Sequence, residues 1–230
     1  MNRKIITIHQ PQYLPWIPYF HKVLQSDIFV LLDDVQFQKN GVQNRNQIKT
    51  PQGVLWLTIP VKQSFGQRIN EVDIANKNVF GKHKKTLELN YSKSPFYSEI
   101  MNLLTPIFDK DFGKLVEINN EIIIELLSYL EFRGEIILSS QLNINLEGSE
   151  RILEICKSLG ASMYISGSGG KDYLNLESFG EANIEVIFQD YKSFEYPQLY
   201  AQAGFVKDLS VIDLLFNVGK QSKAWITKRN

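Results

Sequence analysis

Cysteine, one-sided charge and long apolar runs are all scarce in this chain of 230 residues, and each absence excludes a class of protein. The single cysteine, Cys156, cannot form an intrachain disulfide, which favours a reducing compartment. Basic and acidic residues number 25 each, so the net charge of zero argues against a general affinity for nucleic acid, although a local basic pocket stays open. No run approaches the ~18 apolar residues of a membrane span, and the first ten residues lack the apolar core of a secretory signal. We therefore expect a cytoplasmic protein without a membrane span.

The remaining composition is that of one globular domain. Hydrophobic residues make up 43% of the chain and charged residues 22%, which is ordinary for a folded protein of this length. We predict a single α/β domain over residues 1–230.

Short apolar runs predict the strands of a central sheet. They lie at residues 5–8, 28–32, 136–140, 163–166 and 184–188. Strands that are apolar throughout are buried on both faces, which is typical of a parallel sheet covered by helices. Helical patterns at residues 17–25 and from Ser149, a candidate N-cap, to residue 159 give βαβ spacing. The sequence therefore predicts a mostly parallel central sheet with flanking helices.

The middle of the chain follows different patterns. Residues 47–50 and 54–61 flank Pro51-Gln52-Gly53, which predicts a β-hairpin. Residues 77–133 are helical in pattern, with breaks near 94–95 and 109–113, and we interpret them as a helical insertion or cap on the core. A further helix is expected at 211–218, ending at Gly219.

Three polar segments follow predicted strands. They cover residues 9–16, 33–46 and 166–173. In a parallel sheet the loops after the carboxyl ends of the strands form the binding crevice. We therefore expect these segments to share one rim and to build the functional site.

The histidines and the cysteine are weighed one by one. His9 titrates near neutrality and suits a general base, or it caps the strand end through the backbone. His21 lies among apolar helix residues and favours a packing or surface role, while His83 with Lys84 forms either a solvated basic face or a phosphate site. Cys156 lies on an apolar helix face and favours core packing. No ligand spacing suggests zinc, so no metal is predicted.

Charged and glycine-rich motifs leave further alternatives open. Asp33 and Asp34 suit a metal or a ribose hydroxyl, or else a turn or helix cap. Arg45 offers a fixed fork for phosphate or carboxylate, or else a salt bridge to one of those aspartates. The run from Ser166 to Gly170 either brings backbone amides close to an anion or is a plain turn.

Several of these motifs together resemble a known family. They are residues 8–16 (IHQPQYLPW), 27–37 (DIFVLLDDVQF), 44–49 (NRNQIK), 56–61 (WLTIPV), 164–167 (YISG) with Tyr173 and Leu174, and 214–217 (LLFN). In these the chain resembles the WbqC-like protein family over nearly its whole length. The resemblance implies bacterial O-antigen or surface-polysaccharide biosynthesis and a nucleotide-linked sugar, such as an amino sugar, as substrate. It further implies transfer of an acyl or aminoacyl group, for example glycyl, to the sugar amine from an acyl carrier protein thioester, with no other cofactor.

The resemblance also gives the candidate residues their expected roles. His9 is expected to accept the proton of the attacking amine, and Asn44 or Asn46 to stabilise the oxyanion. The residues expected to bind substrate are Gln10, Tyr13, Trp16, Asp33, Asp34, Gln36, Arg45, Lys49, His83, Lys84, Ser166, Gly167 and Tyr173. The cations in this set are expected at the diphosphate, and Tyr13 or Trp16 against a ring. An amine attacks a thioester directly, so Cys156 is not needed as a nucleophile.

Two other functions stay open. The early strand, histidine, helix and strand resemble the HUP-type nucleotidyltransferases and class I synthetases, which implies an ATP-dependent adenylate-forming or nucleotidyl-transfer enzyme. Those folds carry closely paired histidines, whereas His9 and His21 lie 12 positions apart (21 − 9). The third interpretation is a non-catalytic protein that binds a nucleotide sugar. The sugar, the donor and the oligomeric state are not determined by the sequence.

Overall fold

The computed structural model describes residues 3–228, which form an α/β fold. Its strands are β1 (Ile5–His9), β2 (Ile28–Leu31), β3 (Arg45–Thr50), β4 (Gly53–Thr58), β5 (Val61–Lys62), β6 (Asp73–Ile74), β7 (Glu135–Leu138), β8 (Met163–Ser166) and β9 (Glu185–Phe188). Its α-helices are α1 (Ile17–Val23), α2 (Val79–Tyr91), α3 (Tyr97–Phe108), α4 (Leu115–Tyr129), α5 (Gly148–Ser158), α6 (Leu176–Glu181), α7 (Val211–Val218) and α8 (Ser222–Thr227).

Five strands form one central sheet in the order β7-β2-β1-β8-β9, and every neighbouring pair is parallel. Central β1 sets the register, with Ile6 opposite Ile28 on β2 and Thr7 opposite Ile165 on β8. The predicted α/β class with a parallel central sheet is therefore confirmed.

Successive side chains of a strand point to opposite faces of the sheet, and each face of this sheet meets its own hydrophobic core. On one face, Ile6, Ile8 and Tyr164 pack with Ile155 of α5 and Phe179 of α6. On the other face, side chains of β2 pack into a larger core with α1 and the middle helices. This alternation determines which polar side chains at the edge of the sheet can meet.

Helices α2, α3 and α4 fill the predicted helical region, with breaks at the expected positions. The apolar side chains of these helices belong to the same core as Phe29 and Leu31 of β2. The helical region therefore packs on the sheet through one continuous core.

The predicted hairpin forms, but outside the central sheet. Strands β3 and β4 pair only with each other, antiparallel, from Arg45 opposite Thr58 to Thr50 opposite Gly53. Gly53 has φ of 113°, a conformation that L side chains rarely adopt, which is why a glycine ends this turn. Strands β5 and β6 form a second small antiparallel pair.

Two predicted helix boundaries are wrong. Ser149 is not an N-cap, because α5 begins at Gly148 with Glu147 as its flanking residue. The Ser149 hydroxyl instead accepts the backbone N–H of Asn175 at 2.8 Å. Helix α1 ends at Val23, short of the predicted residue 25, and the Ser26 hydroxyl donates to the Val23 carbonyl at 2.8 Å.

Within residues 3–228, none of the helices combines the length and the apolar composition that a bilayer crossing requires.

Candidate functional site

The direction of the sheet order reverses between β1 and β8. From β1 the chain builds outward through β2 to β7, and it then crosses to the other side of β1 to add β8 and β9. In open parallel sheets, ligands bind in the crevice outside the carboxyl ends of the strands at this reversal. His9 ends β1 and Ser166 ends β8, so both residues lie at the edge where that crevice is expected.

His9 is half-buried and carries no charge at neutral pH. Its ring centroid lies 4.6 Å from that of Tyr19, and its Nδ1 is 3.3 Å from the Gln10 carbonyl oxygen. Burial lowers the pKa of His9 well below its ordinary value, and the nearby Lys22 ammonium lowers it further. The imidazole is therefore neutral. Its Nδ1–H faces the Gln10 carbonyl, which leaves Nε2 able to accept a proton.

Lys22 is a buried residue beside His9 that sequence reasoning missed. Its Nζ donates to the carbonyl oxygen of Ile8 at 3.0 Å, and burial lowers its pKa to about 7. The Tyr19 hydroxyl is also buried and has no hydrogen-bond partner among the residues that the structure describes. The i, i+3 spacing of Tyr19 and Lys22 on α1 was the available signal, because it places both on one helix face.

Gln10 is held by a network of amide side chains. It accepts from Gln43 Nε2 at 2.8 Å, and Gln43 Oε1 accepts the backbone N–H of Gln38 at 2.7 Å. Asn119 of α4 donates to the Gln43 carbonyl at 2.8 Å, and the Asn119 Oδ1 is buried without a partner in the described chain. Neutral amides of this kind hydrogen-bond well to sugar hydroxyls. Gln36 is exposed nearby in the chain and forms a β-bridge with Arg68.

The two predicted oxyanion donors hold the backbone instead. Asn44 Nδ2 donates to the Ile59 carbonyl at 2.9 Å, and Asn46 Nδ2 donates to the Leu14 carbonyl at 2.7 Å. Both side chains are buried. Leu14 has φ of 44°, an unfavourable conformation for leucine, and the Asn46 contact helps to hold it there. Asn46 therefore fixes the 9–16 loop against the hairpin, while Asn44 holds the segment that follows β4.

The predicted cations are engaged with the protein itself. The Arg45 guanidinium lies 4.5 Å over the Trp56 ring and donates to the Asn40 carbonyl. Lys49 is buried, with its Nζ donating to Gln198 at 3.0 Å and to the Gly204 carbonyl at 2.6 Å. Lys84 pairs with Asp109 at the surface. The structure thus does not gather these cations into one phosphate site.

Tyr13 and His83 form a buried pair. The Tyr13 hydroxyl lies 2.7 Å from His83 Nδ1, and Tyr13 is fully buried. Burial lowers the pKa of His83 to about 4, so its ring is neutral and offers no charge to a diphosphate. Trp16 is 36% exposed, and its backbone forms an isolated bridge with Ser210. Of the two aromatic residues expected to stack on a ring, Trp16 is the one that a ligand can reach.

Asp33 and Asp34 bind side chains and backbone of the neighbouring β7 and α5 segments. Asp33 accepts from the Ser140 N–H at 2.9 Å and from the Ser140 hydroxyl at 2.8 Å. Arg151 Nη2 donates to both carboxylate oxygens of Asp34, at 2.7 Å to Oδ1 and 2.6 Å to Oδ2. The considered ion pair with Arg45 is therefore wrong: Arg151 takes that place. Neither aspartate belongs to a potential metal-ligand cluster in residues 3–228.

Ser166 shares the sheet edge with His9 but not the sheet face. Tyr164, two residues before Ser166, packs with Ile6 and Ile8, whereas His9 contacts Tyr19 in the opposite core. The expected single pocket is corrected here, because strand alternation separates the two side chains.

The loop after Ser166 is a turn of 3-10 helix, Ser168–Asp172, packed closely on the strand end. A Cβ on Gly170 would lie 2.0 Å from the Ser166 hydroxyl, so only glycine fits. Gly167 precedes the turn and Tyr173, 53% exposed, follows it. Exposed Ser168 and Gly169 therefore face solvent at the rim, while the Ser166 hydroxyl is inside.

Fold and site together define an α/β protein whose parallel sheet reverses its strand order at β1, with His9 and the amide network of Gln10 at the carboxyl end of that strand. The chain belongs to the WbqC-like protein family, whose model matches residues 10–224. It is also 34% identical over 227 residues to "Uncharacterized protein Rv1507c" of Mycobacterium tuberculosis (strain ATCC 25618 / H37Rv), covering 97% of each chain. No solved structure matches the chain.

Proposed function

We propose that this protein is a cytoplasmic transferase that moves an acyl or aminoacyl group, such as glycyl, from a carrier-protein thioester to the amine of a nucleotide-linked amino sugar. The product serves O-antigen or other surface-glycan biosynthesis. The observation that carries the proposal is the neutral His9 at the carboxyl end of β1, where the strand order reverses toward β8.

The reaction needs a proton acceptor and no enzyme nucleophile. The amine nitrogen attacks the thioester carbonyl, a nitrogen–carbon bond forms, and the carbon–sulfur bond breaks when the oxyanion collapses. The amine proton passes to His9 and then to the departing thiolate, so no oxidant is needed, and cleavage of the thioester supplies the free energy without ATP. Burial keeps the His9 imidazole neutral, which fits the role of proton acceptor. Burial also raises the pKa of the Cys156 thiol to about 12, which argues against an acyl-cysteine intermediate.

The amide network beside His9 supports a sugar as acceptor. Gln10 is half-buried and fixed by Gln43, so its amide is oriented before a ligand arrives. Prearranged neutral donors and acceptors suit hydroxyl groups better than charged groups. Exposed Gln36 and Gln38 extend this amide surface away from the sheet edge.

A second function is favoured by the strand order. Numbered among the sheet strands alone, the order is 3-2-1-4-5, which matches the first five strands of dinucleotide-binding sheets. This supports the alternative of an ATP-dependent adenylate-forming or nucleotidyl-transfer enzyme. The third candidate is a non-catalytic protein that binds a nucleotide sugar at the same edge of the sheet.

One reaction series separates the three functions. Purified protein is mixed with a nucleotide-linked amino sugar and acyl or glycyl carrier-protein thioester, with and without ATP, and the products are identified by mass spectrometry. Amide formation without ATP is the expected result. If product forms only while ATP is consumed, the protein is the ATP-dependent enzyme of the second candidate function. If the sugar binds tightly and no mixture gives product, the non-catalytic binding function is favoured.

A further inference from the structure

One face of the sheet is only partly covered over β9, although Met163 and Ile165 of β8 beside it are buried. Helices α5 and α6 pack on the opposite face, yet Ile187 on the open face is 37% exposed. Parallel sheets are normally covered on both faces, so this gap is unusual. It forms a groove of about 910 Å³, whose apolar floor consists of Ile5, Met163, Ile165 and Ile187. The groove is separate from the amide network at Gln10.

The two ends of the groove have different chemistry. Arg3 lines it at the amino edge of the sheet, 3.3 Å from Glu185, and Lys228 is a further cation of the lining. His21, Gln189 and Asp190 line the carboxyl end. Glu185 and Gln189 are four residue rises apart, about 13 Å of extended strand before side chains add reach. An elongated ligand with a negative charge at one end and polar groups along its length suits these dimensions.

The carboxyl end offers a hydrogen-bond donor. Gln189 Nε2 donates to the Pro18 carbonyl at 2.8 Å, which fixes the orientation of the amide, and its other hydrogen faces His21 Nδ1 at 2.8 Å. His21 Nδ1 is therefore an acceptor, and in the neutral ring the proton resides on Nε2. Burial lowers the pKa of His21, although Asp190 opposes this, so the neutral ring prevails at pH 7.

We infer that this groove holds the phosphopantetheine arm of the thioester donor, with its phosphate at Arg3 and Lys228, an amide carbonyl of the arm at His21 Nε2, and its thioester beyond His21 at the carboxyl edge of the sheet, where His9 ends β1. The donor's identity rests on the proposed function. The arm is a long, narrow chain with two amides, one hydroxyl and a carbon that carries two methyl groups, which matches an apolar floor between polar ends. Arg3 and Lys228 complement the phosphate by charge.

The test measures binding of 4′-phosphopantetheine without any acceptor. Trp225 lines the groove, so its fluorescence is the signal, and Trp225→Phe serves to show that the signal comes from there. The expected result is saturable binding that Ile187→Arg weakens at least tenfold by placing a long side chain on the floor. Ile124→Arg is the matched control, because Ile124 is 46% exposed on α4, away from the groove, and its affinity should equal that of the wild type.

A second pair of variants tests the orientation. Arg3→Gln should weaken binding of 4′-phosphopantetheine several-fold and leave binding of pantetheine, which lacks the phosphate, unchanged. Lys4→Gln is the control, since Lys4 Nζ donates to the Leu159 carbonyl and does not line the groove.

Failure of this inference is distinct from failure of the proposed function. The inference is overturned if Ile187→Arg and Ile124→Arg bind 4′-phosphopantetheine with equal affinity. It is also overturned if Ile187→Arg loses binding of the nucleotide amino sugar but keeps binding of 4′-phosphopantetheine. Amide transfer that persists undiminished in Ile187→Arg also overturns it, while supporting the proposed function. Arm binding that Ile187→Arg abolishes, without transfer from any donor, supports the inference and counts against the proposed function.

Discussion

The side-chain nitrogen of Lys22 lies 3.0 Å from the carbonyl oxygen of Ile8, and this hydrogen bond is buried in the protein interior. Lys22 is 2% exposed, and no carboxylate pairs with it within the described residues. Burying a lysine without a counter-ion is costly, and it shifts the pKa until the neutral amine becomes accessible. The contact therefore places a second titratable group next to His9.

Lys22 should make the stability of the protein depend on pH in the alkaline range. The pKa is about 7 in the folded state and 10.5 in the unfolded chain, so the unfolded chain binds more protons between these values. The free energy of unfolding should rise by about 2 kcal/mol between pH 7 and pH 9 from this group. Urea denaturation at both pH values should show that Lys22→Met removes this rise. The exposed-site variant Lys85→Met should retain it, and identical slopes for all three proteins would contradict the pKa of Lys22.

The pH profile of turnover should separate His9 from Lys22 as proton acceptor. His9 has a pKa well below 6.5, so a rate that depends on His9 should stay constant from pH 8 down to 6.5. A rate that depends on neutral Lys22 should fall tenfold per unit below pH 7. His9→Ala should lower kcat at least about a hundredfold. Gln52→Ala, at an exposed position of the hairpin turn, serves as control, and near-normal kcat in His9→Ala would remove His9 from the mechanism.

His83 should contribute to acid destabilisation. Its pKa is about 4 in the folded state and 6.5 in the unfolded chain, so its contribution is complete above pH 6.5 and is lost as the pH falls toward 4. We expect a loss of about 2 kcal/mol between pH 7 and pH 5 from this residue. The variant His83→Gln, whose amide can still bond to Tyr13, should lose less stability over that range. Thermal unfolding of both proteins at the two pH values gives the comparison, and equal losses would refute it.

Arg151 and Asp34 should behave as a structural ion pair. Their side chains are 9% and 12% exposed, so Arg151→Met leaves a nearly buried carboxylate without its cation and should cost about 3–5 kcal/mol. Adding Asp34→Asn should recover part of that loss, which a double-mutant cycle in urea measures. Should Asp34→Asn alone raise KM for the sugar without destabilising the protein, a substrate-binding role for Asp34 would be favoured instead.

Much of the fold follows from local patterns. The five strands of the central sheet, the hairpin around Pro51-Gln52-Gly53 and the breaks near 94–95 and 109–113 were predicted, because apolar runs and turn residues act over short distances. Helix ends were less predictable. Ser149 has the chemistry of an N-cap, but its hydroxyl accepts the backbone N–H of Asn175, 26 positions away in the chain.

The candidate site was predicted only in part. The sequence identified His9 and Gln10 as polar residues after a strand, and the structure places them at the strand-order reversal. Arg45, Lys49 and His83 share the same polar character, yet they contact Trp56, Gln198 and Tyr13. Gln198 and Tyr13 lie far in the chain from Lys49 and His83, so no local pattern could reveal these contacts, whereas Trp56 lies on the partner strand of the predicted hairpin.

The sequence alone determined the element types, the parallel sheet and the family, because hydrophobic periodicity and motif identity are properties of neighbouring residues. Only the tertiary structure decided that Ser166 faces away from His9, that Lys22 is buried, and that Ile187 leaves one face of β9 partly exposed. Each of these depends on which elements pack together, and packing is settled by contacts between distant parts of the chain.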